Sequence, residues 1–128
     1  MSIPEDLKYT KDHEWVRLNG KTGLIGITKF AVDQLGDIVH ADLPSPGRSV
    51  KQHDPIASIE SVKAVSDVFC PVSGKVVRVN LNLAPSPETV NLDPYGDGWM
   101  VEVELSNSSE IASLMSAADY QQFTAGHK

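Results

Sequence analysis

The chain has 128 residues, 41% hydrophobic and 22% charged. These proportions suit one globular domain over 1–128, long enough to bury a core without disulfide or metal support. A net charge of -6 and a pI of about 5.0 exclude a phosphate backbone as partner, since nucleic-acid binding needs a basic surface, and suit basic or neutral protein partners. The single cysteine, Cys70, gives neither a disulfide framework nor a thiolate pair for zinc.

The first fifteen residues hold no apolar signal core and no arginine-rich amphipathic segment, and no apolar run is as long as a membrane span. The expected location is cytoplasmic, or the mitochondrial matrix if a transit peptide has been removed. "EWVRL" (Glu14 to Leu18) and "TGLIGI" (Thr22 to Ile27) predict a hairpin about Asn19-Gly20. Thr28 caps a predicted short helix with Ala31 and Leu35 on one face and Gly36 as the left-handed C-terminal residue. "DIVHADL" (Asp37 to Leu43) alternates as a strand, and Pro44-Ser45-Pro46-Gly47 turns the chain. "PIASIES" and "AVSDVF" form a second hairpin, in which alternation puts Glu60 on one face with Ile56 and Ser58. "KVVRVN" (Lys75 to Asn80) is a further strand. "LNLAPSPETVNLDPYGDG" is a loop with one short helix starting near Ser86. "WMVEVEL" predicts a strand with Trp99, Val101 and Val103 on one side. Asn107 and Glu110 are spaced as a capping box, followed by a C-terminal helix with Ile111, Leu114, Met115 and Ala118 at helical spacing, broken near Ser116. Short strands separated by turns predict a mainly β sandwich or small barrel.

Most chemical motifs fail. Gly20-Lys21-Thr22 resembles the end of a phosphate-binding loop, but Trp15 stands where that loop needs glycine. Gly20, Gly23 and Gly26 read as closely packed strand glycines. His13, His40, His53 and His127 lack metal-ligand spacing. Cys70 has no base nearby in sequence and reads as a small buried hydrophobe. Lys63 is different. It occupies the tip of the second hairpin with Val62 and Ala64 beside it, where a tight turn usually takes Asn-Gly. An amine held out on a fixed hairpin is what a modifying enzyme can read.

"HEWV", "GLIGITKFAVDQLGDIVHADLPSPG", "ESVKAVSDVFCPVSGKVVRVN" and "VNLDPYGDGW" together resemble the H-protein family of the glycine cleavage system, in register from about Leu7 to the C-terminal helix. The resemblance implies a lipoyl/biotinyl-type flattened β-barrel of two antiparallel sheets, with short helices and a C-terminal helix. It implies a non-catalytic carrier with lipoate in amide linkage to Lys63. The arm takes the aminomethyl group of glycine from the P protein (glycine decarboxylase, pyridoxal phosphate) to the T protein (aminomethyltransferase, tetrahydrofolate). The L protein (dihydrolipoamide dehydrogenase) reoxidises the dithiol, and a lipoate ligase or lipoyl transferase loads the lysine. By the same resemblance Glu14 receives the amine of the docked arm, with Asp67 in the same region. From its position three residues before Lys63, Glu60 is expected to help the loading enzyme. No metal, nucleic acid or membrane is implied. Asp12 stands where many members carry serine, and Ala84-Pro85 where an acidic pair is frequent. A biotin carrier, with its lysine between methionines, fits Val62 and Ala64 poorly; an H-like paralogue relaying lipoyl groups to other proteins is the alternative.

Overall fold

The computed structural model describes residues 4–125. The strands are β1 (Lys8–Tyr9), β2 (Glu14–Asn19), β3 (Thr22–Ile27), β4 (Ile38–Asp42), β5 (Ser49–Val50), β6 (Pro55–Ser61), β7 (Val65–Phe69), β8 (Gly74–Val79) and β9 (Val101–Leu105). The helices are α1 (Lys29–Leu35), α2 (Thr89–Leu92) and α3 (Ala117–Ala125), with 3₁₀ turns at Leu81–Leu83 and Ser108–Ser113. Two antiparallel sheets result, one of six strands in the order β1-β2-β3-β9-β8-β5 and one of three in the order β4-β6-β7. They form the expected flattened two-sheet architecture, left open at the edges.

The main core lies between the sheets: Val16, Ile25, Val76 and Val103 come from the larger one, Ile38, Ile59 and Val68 from the smaller. Successive strand residues point to opposite faces, and on β2 both faces are covered. Val16 enters the main core, whereas Trp15 joins a second cluster with Leu7, Tyr9, Ala117 and Tyr120 beneath α3. Backbone bonds hold this C-terminal layer, Tyr9 and Met115 exchanging N–H···O contacts at 2.9 and 2.8 Å. Close packing fixes two strand glycines. A Cβ on Gly26 would lie 2.7 Å from the Trp15 ring, and one on Gly74 would lie 2.0 Å from the backbone oxygen of Glu104.

Both predicted hairpins form, and Thr28 caps α1 by accepting from the Ala31 N–H. Five details differ from the sequence reading. Gly36 ends α1 at φ 82° and ψ -152°, outside the left-handed helical region and in one that essentially only glycine occupies. The loop after β8 contains the 3₁₀ turn, and its helix starts at Thr89 rather than near Ser86, because Ser86 and Pro87 use their carbonyls in turns that lead into it. Strand β9 begins at Val101, so Trp99 leaves the alternation and packs against the second cluster while Val101 and Val103 enter the first. A bulge between Pro55 and Ala57 shifts the β6 phase, burying Ile56 while Glu60 stays exposed. In the tail, Asn107 caps as predicted, but Glu110 turns away to bind the Ser73 N–H and Oγ at 2.7 and 2.6 Å. The chain does break at Ser116, after which α3 buries Ala117 and Tyr120 and leaves Ala118 exposed.

Gly74 offers a direct test of the packing. A methyl group there meets main chain of a central strand, which cannot rotate aside as a side chain would, so Gly74→Ala should destabilise the fold by about 1–3 kcal/mol in urea unfolding. An unchanged midpoint would mean that β8 and β9 separate without cost.

Candidate functional site

The tip joining β6 to β7 solves a backbone problem without Asn or Gly. Neither Val62 nor Lys63 has positive φ, so the primed turns that favour glycine are not used. The side chain of Ser61 takes the place of a turn carbonyl. Its Oγ accepts from the N–H of Lys63 at 3.3 Å and of Ala64 at 3.1 Å, and Ser61 N–H donates to the Ala64 carbonyl at 2.8 Å. The tip is also tied sideways, Val62 N–H donating to the Asp37 carbonyl at 3.1 Å. Asn91 of α2 fixes that neighbouring segment by donating to the Gly36 carbonyl and accepting from the Ile38 N–H, both at 2.9 Å. Lys63 thus stands exposed on a restrained apex, its stem passing the end of α1, where a Cβ on Gly36 would lie 3.6 Å from Lys63 Cε. Among the described residues Lys63 makes no ion pair. Val62 and Val65 at this tip are exposed, as are Val39 of β4, which pairs with β6, and Leu92 of α2, which holds the segment 36–38.

At the opposite end of β7 sits Glu14, only 2% exposed. Thr10 Oγ1 accepts the N–H groups of Asp12 and Glu14 at 3.2 and 3.1 Å, which directs its own proton to Glu14 Oε1 at 2.6 Å. The Phe69 N–H donates to Oε2 at 3.2 Å. Both oxygens therefore act as acceptors, a pattern that favours the carboxylate. Burial opposes it more strongly and pushes the pKa up to about 7, against the hydrogen bonds from Thr10 and Phe69 and with a smaller push from the Asp12 charge. No cation pairs with Glu14 among the described residues. Chemically, this is an acceptor site poised near neutrality, whose ionised form a primary ammonium would stabilise.

The other predicted residues lie apart from this pair. Asp67 is exposed on β7 opposite Ser58 and lines a surface groove with Asp42, Arg48 and Ser58, and no hydrogen bond joins it to Glu14. Glu60 is exposed one residue before Ser61, paired with Val65. Cys70 is fully buried, its Sγ donating to the Val72 carbonyl at 2.8 Å, and burial raises its pKa to about 11. Among the described residues no group of three or more His, Cys, Asp or Glu is placed to hold a metal, and His127 lies outside the described residues. Thr10 and Ser61 were missed by sequence reasoning. A hydroxyl residue just before a turn is the signal that could have exposed Ser61; Thr10, four residues before Glu14, carries no comparable local sign.

A sequence model described as "Glycine cleavage H-protein" matches residues 7–127. The glycine cleavage system H protein of Symbiobacterium thermophilum is 54% identical over 123 residues, covering 96% of each chain. That of Carboxydothermus hydrogenoformans is 51% identical over 120 residues, covering 94% of this chain and 92% of the relative. The crystal structure of a glycine cleavage system H protein from Mycobacterium marinum superposes with a TM-score of 0.89 at 36% identity, covering 96% of this chain and 99% of that one.

Glu14 should leave a signature in stability. Its folded pKa of about 7 lies above the ordinary 4.5, so its contribution is full below about pH 4.5 and is lost as pH rises through 7. Glu14→Gln carries a constant penalty at the Phe69 N–H but has no charge to bury. Between pH 4.5 and 8 the wild type should therefore lose up to about 3 kcal/mol relative to this variant. Parallel stability curves from urea titrations across that range would show that Glu14 titrates as an ordinary exposed acid.

Proposed function

The chain belongs to the glycine cleavage H-protein family, and from that premise we propose that it is one carrier domain whose lipoyl group is attached at Lys63. The observation that carries this reading is the restrained apex itself. A modifying enzyme needs a free amine on a backbone of fixed shape, and Ser61, Asp37 and Asn91 supply the restraint while among the described residues Lys63 makes no ion pair. The site fits the group on structural grounds: the lysine stem clears Gly36, and the turn bonds involve backbone and Ser61 only. Lipoate in amide linkage supplies dithiolane chemistry, taking up the aminomethyl carbon of glycine as its disulfide is reduced. This chain's residues carry, present and shield that cargo and perform no chemical step themselves.

Glu14 has the properties required of the cargo's receptor. A protonated amine is held best by a carboxylate withdrawn from water, where a charge-assisted hydrogen bond is worth about 1.5–3 kcal/mol. Phe69, which fixes that carboxylate, lies at the far end of the strand that leaves the Lys63 tip, about 13 Å from Val65 at the rise of a strand. Asp67, midway along β7, adds negative charge on the approach, and Glu60 beside the turn is a contact for the loading enzyme. A relay that only passed lipoyl groups onward would have no use for a buried receptor, which favours the glycine cleavage role. The partners are then the P, T and L proteins and a lipoate ligase or lipoyl transferase. A cytoplasmic location is the one inferred from the bacterial relatives. No helix among the described residues is long and apolar enough to cross a membrane.

Two measurements follow. Intact mass after incubation with lipoate and a ligase should show one adduct, mapped to Lys63. It should be absent in Lys63→Arg, whose guanidinium cannot form the ordinary amide, and slower to appear in Glu60→Ala. An adduct on Lys51 or Lys75 would overturn the assignment, and equal rates would leave Glu60 an ordinary surface acid. Separately, wild type and Glu14→Ala can be loaded through the P protein, freed of it, and followed for ammonia release. Release should quicken by roughly tenfold in the variant, since about 1.4 kcal/mol of docking energy is one order of magnitude. Superimposable time courses would remove Glu14 from the receptor role.

A further inference from the structure

His13 immediately precedes Glu14 and has φ 70°, a left-handed conformation unfavourable for a side chain that carries a Cβ. Such a residue persists only when its surroundings hold it there. The Tyr120 hydroxyl lies 2.8 Å from His13 Nδ1 and 2.7 Å from Thr28 Oγ1, while Thr28 N–H donates to the His13 carbonyl at 2.9 Å. One phenol on α3 therefore joins the residue next to Glu14 to the residue that caps α1, the helix whose other end lies beside the Lys63 stem. Tyr120 is 1% exposed, stacked on Tyr9 with centroids 4.7 Å apart and rings 9° from parallel. Phe30 and Phe123 flank the imidazole at 4.4 and 5.9 Å.

We propose that Tyr120 is a positioning residue for Glu14: its hydroxyl, by clamping His13 to Thr28, keeps the carboxylate turned inward on the Phe69 N–H. The C-terminal helix thereby acts on the cargo site without touching cargo. The ring alone makes the stack on Tyr9, whereas the hydroxyl alone bonds His13 and Thr28, so the two contributions can be separated by removing the oxygen. The consequence for cargo rests on the receptor role given to Glu14 above; the consequence for Glu14 itself does not.

Tyr120→Phe keeps the ring and its stack and removes the hydroxyl's bonds to His13 and Thr28, leaving only the backbone bond between those two residues. In the unlipoylated full chain, carbon-13 NMR of labelled glutamate reads the Glu14 carboxyl directly. Freed of the clamp, Glu14 gains water, and its titration midpoint should fall by about one pH unit from near 7 toward the ordinary value. Thr28→Val, which removes the other end of the link, should lower it likewise, whereas Thr28→Ser should not. In the loaded protein, ammonia release should quicken several-fold in Tyr120→Phe and should not quicken further when this change is added to Glu14→Ala. A midpoint unchanged in both Tyr120→Phe and Thr28→Val would overturn the proposal. A lowered midpoint with ammonia release identical in wild type, Tyr120→Phe and Glu14→Ala would uphold the clamp and count against the receptor role instead.

Discussion

The two sheets share a polar contact that apolar packing could not supply: the carboxylate of Glu14, on the larger sheet, accepts the Phe69 N–H of the smaller. Removing a carboxylate from water costs several kcal/mol, and hydrogen bonds from one hydroxyl and one amide offset part of that cost. The pKa near 7 measures the shortfall. Under the receptor role proposed for Glu14, an arriving ammonium would offset part of that shortfall. Had Lys or Arg been placed beside Glu14, the fold would gain a satisfied pair and leave no such role open.

In the carrier role proposed for this chain, the strand β7 separates two tasks that conflict chemically. At its start, the arm attached to Lys63 would have to reach into partners' active sites, which requires exposure and a small turn. At its end, cargo would have to be kept from water, which requires enclosure. Both ends are held by hydrogen bonds to neighbouring elements, through Ser61, Asp37 and Asn91 at one and through Thr10 at the other. Little conformational entropy then remains to be lost in the protein when an arm moves between them.

Much of this was legible in the sequence because it is encoded locally. The Asn19-Gly20 hairpin, the Thr28 cap and the break at Ser116 rest on residues a few positions apart, and the structure contains all three. The bulge at Pro55 to Ala57 and the turning of Glu110 toward Ser73 were not legible, since each is decided by a partner distant in sequence. The site divides in the same way. Lys63 stands out through its neighbours, but the burial of Glu14 depends on Phe69, fifty-five positions away, and the hold on His13 on Tyr120, one hundred and seven away. Periodicity carries no trace of such separations.

One consequence concerns Cys70, next to the residue that binds Glu14. A carrier of the kind proposed for this chain lives with a cyclic disulfide and its dithiol on its own surface, and a free thiolate within the same molecule would be a competitor for them. Attack on a disulfide needs the thiolate and access to sulfur. Cys70 has neither: it is fully enclosed, donates its S–H hydrogen bond to the Val72 carbonyl, and with a pKa of about 11 is ionised to only about one part in ten thousand at neutral pH. Its inertness prevents self-capture, in which the arm would end as an internal mixed disulfide and withdraw the molecule from exchange with its partners.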